Sequence, residues 1–407
     1  MSDWGATHSQ SLVAGLDQEM PAYDYFGQTL IDNVNAGLVS MEDIDNSVSR
    51  ILTQMFKFNV FDVPNNNLIT NDVTNQDHVN TARELTAASH VLLKNEGNVL
   101  PLSATKPTKI AIFGQAAVAP IIGGGGSGAV FPKPGSVVTP YQGVLNALGI
   151  VDNNPMVPNC NASDVKQDVG IHQWGCESIP GTSAEDCAGK CAAYLNCNFY
   201  TYTGQCNLYP TGNEQFPTKG SILGQCTKKW PAPTWQCNAA NVCVAFIDGA
   251  DLDTASALAK EATVAVVAIA TFAKEGGDRA SLSMAAVDSQ DCQLVAPGQD
   301  ELVSAVAAIV PTVVAMTAGG AALTPWRDDV KAILHGFFPG QEYGNGLADV
   351  LFGKINPSGR LPVTMPTKDN EVEMSRKQYP GIKLEGEYSE KLLVDYRWYN
   401  AHKVSMV

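Results

Sequence analysis

Nine of the ten cysteines of this 407-residue chain fall between Cys160 and Cys243, with Cys292 alone downstream. On both sides of that block the sequence alternates short apolar runs with amphipathic stretches. Before it, Ile110-Ala111-Ile112-Phe113-Gly114 reads as a buried strand closed by glycine, and residues 140–148 read as a helix. After it, residues 256–262 read as helix, 264–270 as strand, 300–309 as helix, 313–317 and 330–334 as strands, and 344–352 as helix. Continuous Val/Ile/Ala strands between helices imply a mainly parallel sheet covered on both faces. The fold class is therefore α/β, and the cysteine-rich block interrupts one α/β domain as an insertion.

The spacing within the block favours disulfides over metal. Cys187-x3-Cys191-x5-Cys197 lacks the paired C-x2-C or Cys/His spacing of a zinc site, and His172 is the only histidine nearby. Disulfides imply an oxidising compartment, and Asn161-Ala162-Ser163 is an N-glycosylation sequon. The expected location is secreted. No basic segment followed by an apolar one stands at the start, so the expectation is that a leader and further chain precede Met1. A formal net charge of −15 argues against nucleic-acid partners. No run of eighteen apolar residues offers a membrane span.

Three segments carry candidate chemistry. Gly123-Gly124-Gly125-Gly126-Ser127-Gly128 matches a dinucleotide fingerprint in letters only. The preceding strand ends too early, and Phe131-Pro132-Lys133-Pro134 forbids the following helix. A flexible surface loop near a ligand suits those glycines better. Ala273-Lys274-Glu275-Gly276-Gly277-Asp278-Arg279 directly follows the strand at 264–270, where α/β sheets bind ligands. Glu275 there is either a carboxyl group reaching into a cleft or part of a solvated turn, with Asp278 and Arg279 as a local ion pair. Asp3 and Trp4, near the chain start, read either as a stray carboxylate and a core filler or as a reactive carboxylate beside a sugar-stacking ring. His8, Asp17, Glu19, Glu96 and Glu342 read as structural partners: hydrogen bonds, caps or salt bridges.

Together the segments resemble glycoside hydrolase family 3. Ser2-Asp3-Trp4-Gly5-Ala6-x-His8-Ser9, with Ala14-Gly15-Leu16-Asp17-x-Glu19-Met20-Pro21, is similar to that family's nucleophile region. Val91-Leu92-Leu93-Lys94-Asn95 and Leu100-Pro101-Leu102 resemble the entry to its α/β-sandwich domain. Gly124-Gly125-Gly126-Ser127-Gly128-x-Val130 resembles its β-glucosidase branch, and Glu275-Gly276-x-Asp278-Arg279-x-x-Leu282 its acid/base loop. Pro339-Gly340-Gln341-Glu342 and Asn356-Pro357-Ser358-Gly359-Arg360-Leu361-Pro362 match the end of the sandwich.

The resemblance implies a retaining β-glucosidase acting on terminal β-glucosyl residues of a β-glucoside or oligosaccharide, with no metal or organic cofactor. Asp3 is the implied nucleophile, Glu275 the acid/base with a raised pKa, and Trp4 a substrate contact. The carboxyl groups of such a pair stand about 5–5.5 Å apart. The implied organisation is residues 1–60 as the tail of a TIM-like barrel, 61–88 as linker and helix, and 89–150 with 244–370 as the sandwich. Residues 160–243 form the insertion, and 371–407 lead towards a fibronectin-III-like domain. With most of the barrel and its sugar-clamping residues absent, the chain alone is expected to be inactive. A β-xylosidase of the same family is the close alternative.

The insertion resembles a PAN/apple module, on Cys176, Cys187, Cys191, Cys197, Cys206 and Cys226 with Asn198-Phe199-Tyr200-Thr201-Tyr202. That resemblance implies nested pairing of Cys176 with Cys226, Cys187 with Cys206 and Cys191 with Cys197, and a glycan or protein ligand. Cys160, Cys237, Cys243 and Cys292 stay unassigned. A protein of a different class, binding glycans through this module without hydrolysis, also fits these features.

Overall fold

The structure, a computed structural model, describes residues 1–21, 24–63, 72–130, 132–133, 135–153, 157–171, 177–193, 199–209, 215–229, 231–277, 279, 281–284, 298–383 and 385–404. The chain divides into two compact units, Met1–Val73 and Thr74–Val407.

In the first unit, Ser2–Gly5 runs beside 18–20. Ser2 N–H donates to Gln18 O at 2.9 Å and Gly5 N–H to Met20 O at 2.8 Å. Two helices follow, α1 (Gln28–Asn35) and α2 (Met41–Lys57). Ser40 and Asp43 form the reciprocal capping box that starts α2. The sequence pattern predicts helix across 22–36, but α1 begins only after Gly27. Buried Glu19 explains the delay. Its carboxylate accepts the backbone N–H groups of Tyr25 and Phe26, the latter at 2.7 Å, and so fixes that stretch as a loop.

The second unit opens with α3 (Gln76–Ser89), β1 (Val91–Asn95), β2 (Thr108–Phe113) and α4 (Pro140–Leu148). The cysteine-rich stretch supplies β3 (Val157–Ile171), β4 (Glu177–Pro180), α5 (Ala184–Ala193), β5 (Phe199–Tyr202), β6 (Gln205–Tyr209) and β7 (Gln215–Lys229). Then come β8 (Gln236–Cys237), β9 (Val242–Ile247), α6 (Leu252–Glu261), β10 (Val264–Ala270), α7 (Gln299–Ala307), β11 (Thr312–Thr317), β12 (Ala332–His335), α8 (Tyr343–Leu351) and α9 (Tyr396–His402).

One seven-stranded sheet has the order β1-β12-β11-β10-β2-β9-β8. Its five inner strands are parallel, and only the edge strands β1 and β8 run antiparallel. β9, β10 and β11 are buried along their whole length. Alternate residues explain why. Ile110, Ile112, Val244 and Val266 face Val144, Leu145 and Leu347 of α4 and α8, while Phe113, Ile247, Val267 and Ile269 pack with Leu258, Leu302, Val303 and Trp326 on the other face. Each such side chain contributes about 1.5–3 kcal/mol on burial.

Helices α4 and α8 approach backbone to backbone. A Cβ on Gly143 would stand 2.0 Å from Gly344 O, and one on Gly344 only 1.9 Å from Thr139 O. On the neighbouring α3, Arg83 grips buried Asp349 of α8 with Nε–Oδ2 and Nη2–Oδ1 distances of 2.5 and 2.6 Å. Burial alone would raise the Asp349 pKa, but the Arg83 hydrogen bonds and charge, aided by Lys354, bring it below the ordinary value.

The second sheet, β3-β7-β5-β6-β4, is antiparallel. Its small core holds Cys187, Cys191, Tyr200, Cys206 and Cys226. Cys187 bridges Cys206, as the PAN/apple resemblance implies. Cys191 and Cys226 are also disulfide-bonded, while Cys176, Cys197 and Cys292 lie outside the described residues. Cys237 bridges Cys243, closing the β8–β9 hairpin of the larger sheet. Among the described residues no helix is long and apolar enough to cross a membrane.

Three substitutions have distinct expected effects on stability. Gly344→Val lowers the unfolding free energy by about 1–3 kcal/mol or more, because its neighbours are backbone atoms that cannot turn aside. Gly320→Ala, where an added Cβ meets nothing within 4 Å, leaves it nearly unchanged. Asp349→Asn costs about 1.5–3 kcal/mol at pH 7 in chemical denaturation. A carboxyl depressed in the folded state stabilises above its unfolded pKa and loses that contribution as pH falls through the folded value. The gap between parent and variant therefore narrows on acidification below about pH 4.

Candidate active site

Parallel strands direct their carboxyl ends to one edge of the sheet, and the loops leaving that edge meet there. β10 ends with Thr271 N–H donating to Thr317 O at 2.9 Å, so the next loop starts in register with the end of β11. Residues 273–275 then pair with the glycine-rich loop that follows β2. Gly125 N–H donates to Ala273 O at 3.1 Å, and Glu275 N–H donates back to Gly125 O at 3.3 Å. The loop after β12 closes against the glycine-rich connection, with Gly340 N–H donating to Ile122 O at 2.9 Å.

The glycines are needed by contact. A Cβ on Gly125 would fall 2.7 Å from Lys274 Cβ and 3.0 Å from Phe272 Cζ. Gly126, at φ +68°, would put its Cβ 2.6 Å from Glu275 Cβ. The segment read from sequence as a surface loop is exposed at residues 126–128 and is seated on the Glu275 loop by main-chain hydrogen bonds at Gly125.

Glu275 itself is exposed. Its Oε2 accepts the Ser127 N–H at 2.7 Å and also the Ser127 hydroxyl. These two donors, the hydroxyl first, hold the carboxyl below the usual glutamate range. A raised value is the expectation from the resemblance, and the structure shows the reverse. The cause is that Glu275 lies in solvent rather than in an apolar site, and neutral donors favour its ionised form.

Arg279 turns away from Glu275. Its Nη2 donates to Ala321 O, and burial lowers its pKa against the pull of Asp369. Asp369 also accepts from Ser281 Oγ at 2.8 Å and Leu282 N–H at 2.9 Å, which anchors the far end of the loop. Asp278, the ion-pair partner expected from sequence, lies outside the described residues.

Asp3 and Trp4 belong to the first unit. Asp3 is exposed and accepts the Trp4 N–H at 2.7 Å. Trp4 is 71% exposed, so it is no core filler within that unit, and its backbone bridges to Met20. Asp17 pairs with Arg50 at 2.6 Å, and Glu96 with Lys331 at 2.9 Å, as structural partners. Glu342 accepts from Asn345 Nδ2 at 2.8 Å. His8 is exposed. Among the described residues no group of three or more His, Cys, Asp or Glu is arranged to hold a metal ion. The residue that sequence reasoning missed is Ser127. It sits inside a quoted motif, but nothing in the motif says which carboxylate it meets.

Residues 90–396 match the glycosyl hydrolase family 3 C-terminal domain. The chain belongs to this family. A beta-glucosidase of Rhizobium radiobacter is 26% identical over 485 aligned positions, covering 99% of this chain and 56% of the relative. Beta-glucosidase B of Emericella nidulans is 27% identical, covering 98% and 56%. The crystal structure of a beta-glucosidase from Kluyveromyces marxianus in complex with glucose superposes with a TM-score of 0.64 at 20% identity, over 100% of this chain and 57% of that one. The chain thus spans about half the length of the relatives it matches. The homologous part includes the Glu275 loop, its glycine-rich partner and the parallel sheet that carries both.

Replacing Gly126 by valine is expected to part the two loops. The side chain strains a left-handed backbone by about 1–2 kcal/mol and collides with Glu275 Cβ. Hydrogen–deuterium exchange should then quicken at the Gly125 and Glu275 amides and stay unchanged in β10. Equal protection of those amides in parent and variant would contradict the packing described.

Proposed function

We propose that the full-length gene product carrying this chain is a retaining, exo-acting β-glucosidase that removes terminal β-D-glucosyl residues. The observation that carries the reading is Glu275: an exposed carboxyl group on a loop at the carboxyl edge of the sheet, braced by the glycine-rich loop, in a family 3 chain. The beta-glucosidase names of its relatives support the substrate class.

In this reading the Asp3 carboxylate attacks the anomeric carbon and forms a glycosyl-enzyme. Glu275 passes a proton to the departing oxygen, then draws one from the water that releases glucose. Trp4 offers its exposed ring to the apolar face of the sugar. The first unit is then the tail of a TIM-like barrel. The segment 371–407 leads on towards a fibronectin-III-like domain.

The five-stranded sheet is read as a PAN/apple-like module with a glycan or protein ligand, a reading supported by the Cys187–Cys206 bridge in its core. Disulfides also support secretion.

The test is hydrolysis by the full-length gene product. Glu275→Gln should lower kcat/KM on a phenyl β-glucoside by about 10²–10⁴-fold. On a dinitrophenyl β-glucoside, whose leaving group departs without a proton, glycosylation should be nearly unaffected. Equal rates for parent and variant on the phenyl substrate would refute the acid/base role. Faster turnover of aryl β-xylosides than of aryl β-glucosides would replace glucose by xylose, and no turnover of either would favour a binding protein.

A further inference from the structure

The two donors on Glu275 pose a problem for the role just proposed. A general acid has to be protonated when the leaving oxygen departs, yet both hydrogen bonds from Ser127 favour the ionised carboxylate. We propose that Ser127 is a positioning residue whose hydroxyl latches the Glu275 carboxylate to the glycine-rich loop in the free enzyme, and that a bound glucoside opens this latch. The inference rests on the acid/base reading of Glu275.

Three features carry it. Ser127 Oγ and N–H converge on a single oxygen, Oε2, so one reorientation of the carboxyl group breaks both bonds. The loop beneath is fixed by main-chain pairing at Gly125, and Gly126 leaves no side chain between Ser127 and Glu275. The latch is also electrically neutral. Residues 123–130 contain no titratable side chain, nor do Phe337, Phe338, Pro339 and Gly340, whose loop packs on Gly124. On the Glu275 loop itself the charged neighbours are Lys274, Asp278 and Arg279, and Arg279 is committed to Ala321 O with Asp369 nearby.

The proton balance is simple. When the substrate displaces Ser127 from Oε2, the carboxylate takes one proton from solvent. It delivers that proton to the glycosidic oxygen as the C–O bond breaks, takes another from the attacking water as glucose is released, and gives this second proton back to solvent when product leaves and Ser127 recaptures the ionised form.

The experiment is the pH dependence of kcat/KM and of kcat for the full-length gene product, with Ser127→Ala, Ser127→Thr and Glu275→Gln, on phenyl and dinitrophenyl β-glucosides. The alkaline limb of kcat/KM follows the acid in the free enzyme, whereas that of kcat follows it in the complex. Loss of one hydrogen bond to a charged group should move the Ser127→Ala limb of kcat/KM to higher pH. At a fixed pH on that limb the variant should be about tenfold faster relative to its own plateau. The kcat limb should stay in place, and Ser127→Thr, which keeps the hydroxyl, should follow the parent.

Coincident kcat/KM limbs for parent and Ser127→Ala overturn the latch, and so does an equal displacement of both limbs. Glu275→Gln separates this failure from that of the underlying reading. If it lowers kcat/KM on the phenyl substrate alone, Glu275 is the acid whatever Ser127 does. If it treats both substrates alike and leaves the alkaline limb intact, the reading falls and the latch with it.

Discussion

The candidate site depends on main chain passing main chain at the carboxyl edge of the sheet, without intervening side chains. Gly114 ends β2 at φ +97°, where a Cβ would stand 2.1 Å from Ala268 O in the adjacent strand. Further along the same connection, Gly124, Gly125 and Gly126 lie against Ala273, Lys274 and Glu275. Gly319 brings the next loop to Ala273 Cβ and the Phe338 ring. The loops are thereby tied to one another by backbone hydrogen bonds. A carboxyl group carried on such a brace is placed by the sheet, although the group itself is in solvent.

The same economy lets the domain hold a long insertion. β2 and β9 are parallel neighbours in full register from Thr108↔Val242 to Phe113↔Ile247, yet the second sheet lies between them in sequence. The two ends of the interruption are fastened together. Asn153 N–H donates to Gln236 Oε1 at 2.7 Å, Gln236 Nε2 reaches Tyr141 Oη at 3.0 Å, and Asn238 Nδ2 reaches Leu148 O at 3.3 Å. The Cys237–Cys243 bridge stiffens the returning hairpin. With its ends held so closely, the excursion adds a loop-closure cost that grows only slowly with length, and the strand pairing that makes the core is undisturbed.

What was legible in the sequence follows from how local the cause is. The α4 helix and the β10 strand stand at the predicted residues, 140–148 and 264–270, because Thr139 and Pro140 fix the start of one and an unbroken Val/Ala/Ile run defines the other. β9 carries an unbroken apolar run too, Val242-Cys243-Val244-Ala245-Phe246-Ile247, but the run starts inside the cysteine-rich block, and its place between β2 and β8 is seen only in the sheet order. The start of α1 depends on a single carboxylate, Glu19, reaching backbone amides several residues away. Asp3 and Glu275 were visible as members of motifs. The direction in which Glu275 would be shifted was not, because the cause is Ser127, whose hydroxyl arrives from a loop 148 positions away in sequence.

That donor set separates Glu275 from the structural carboxylates. Asp17 faces Arg50 at the surface, and buried Asp349 faces Arg83 in a pair where removing the arginine strands a charge. Such pairs suit fixed architecture. Glu275 has instead a hydroxyl and a main-chain amide, which hold an anion in place and, when released, are satisfied by water at little cost. In the proposed acid/base role Glu275 exchanges protons in every cycle and needs partners it can leave, and neutral donors on an exposed loop are of that kind. The ionised resting form is then compatible with acid catalysis, provided that the bond holding it is one the substrate can displace.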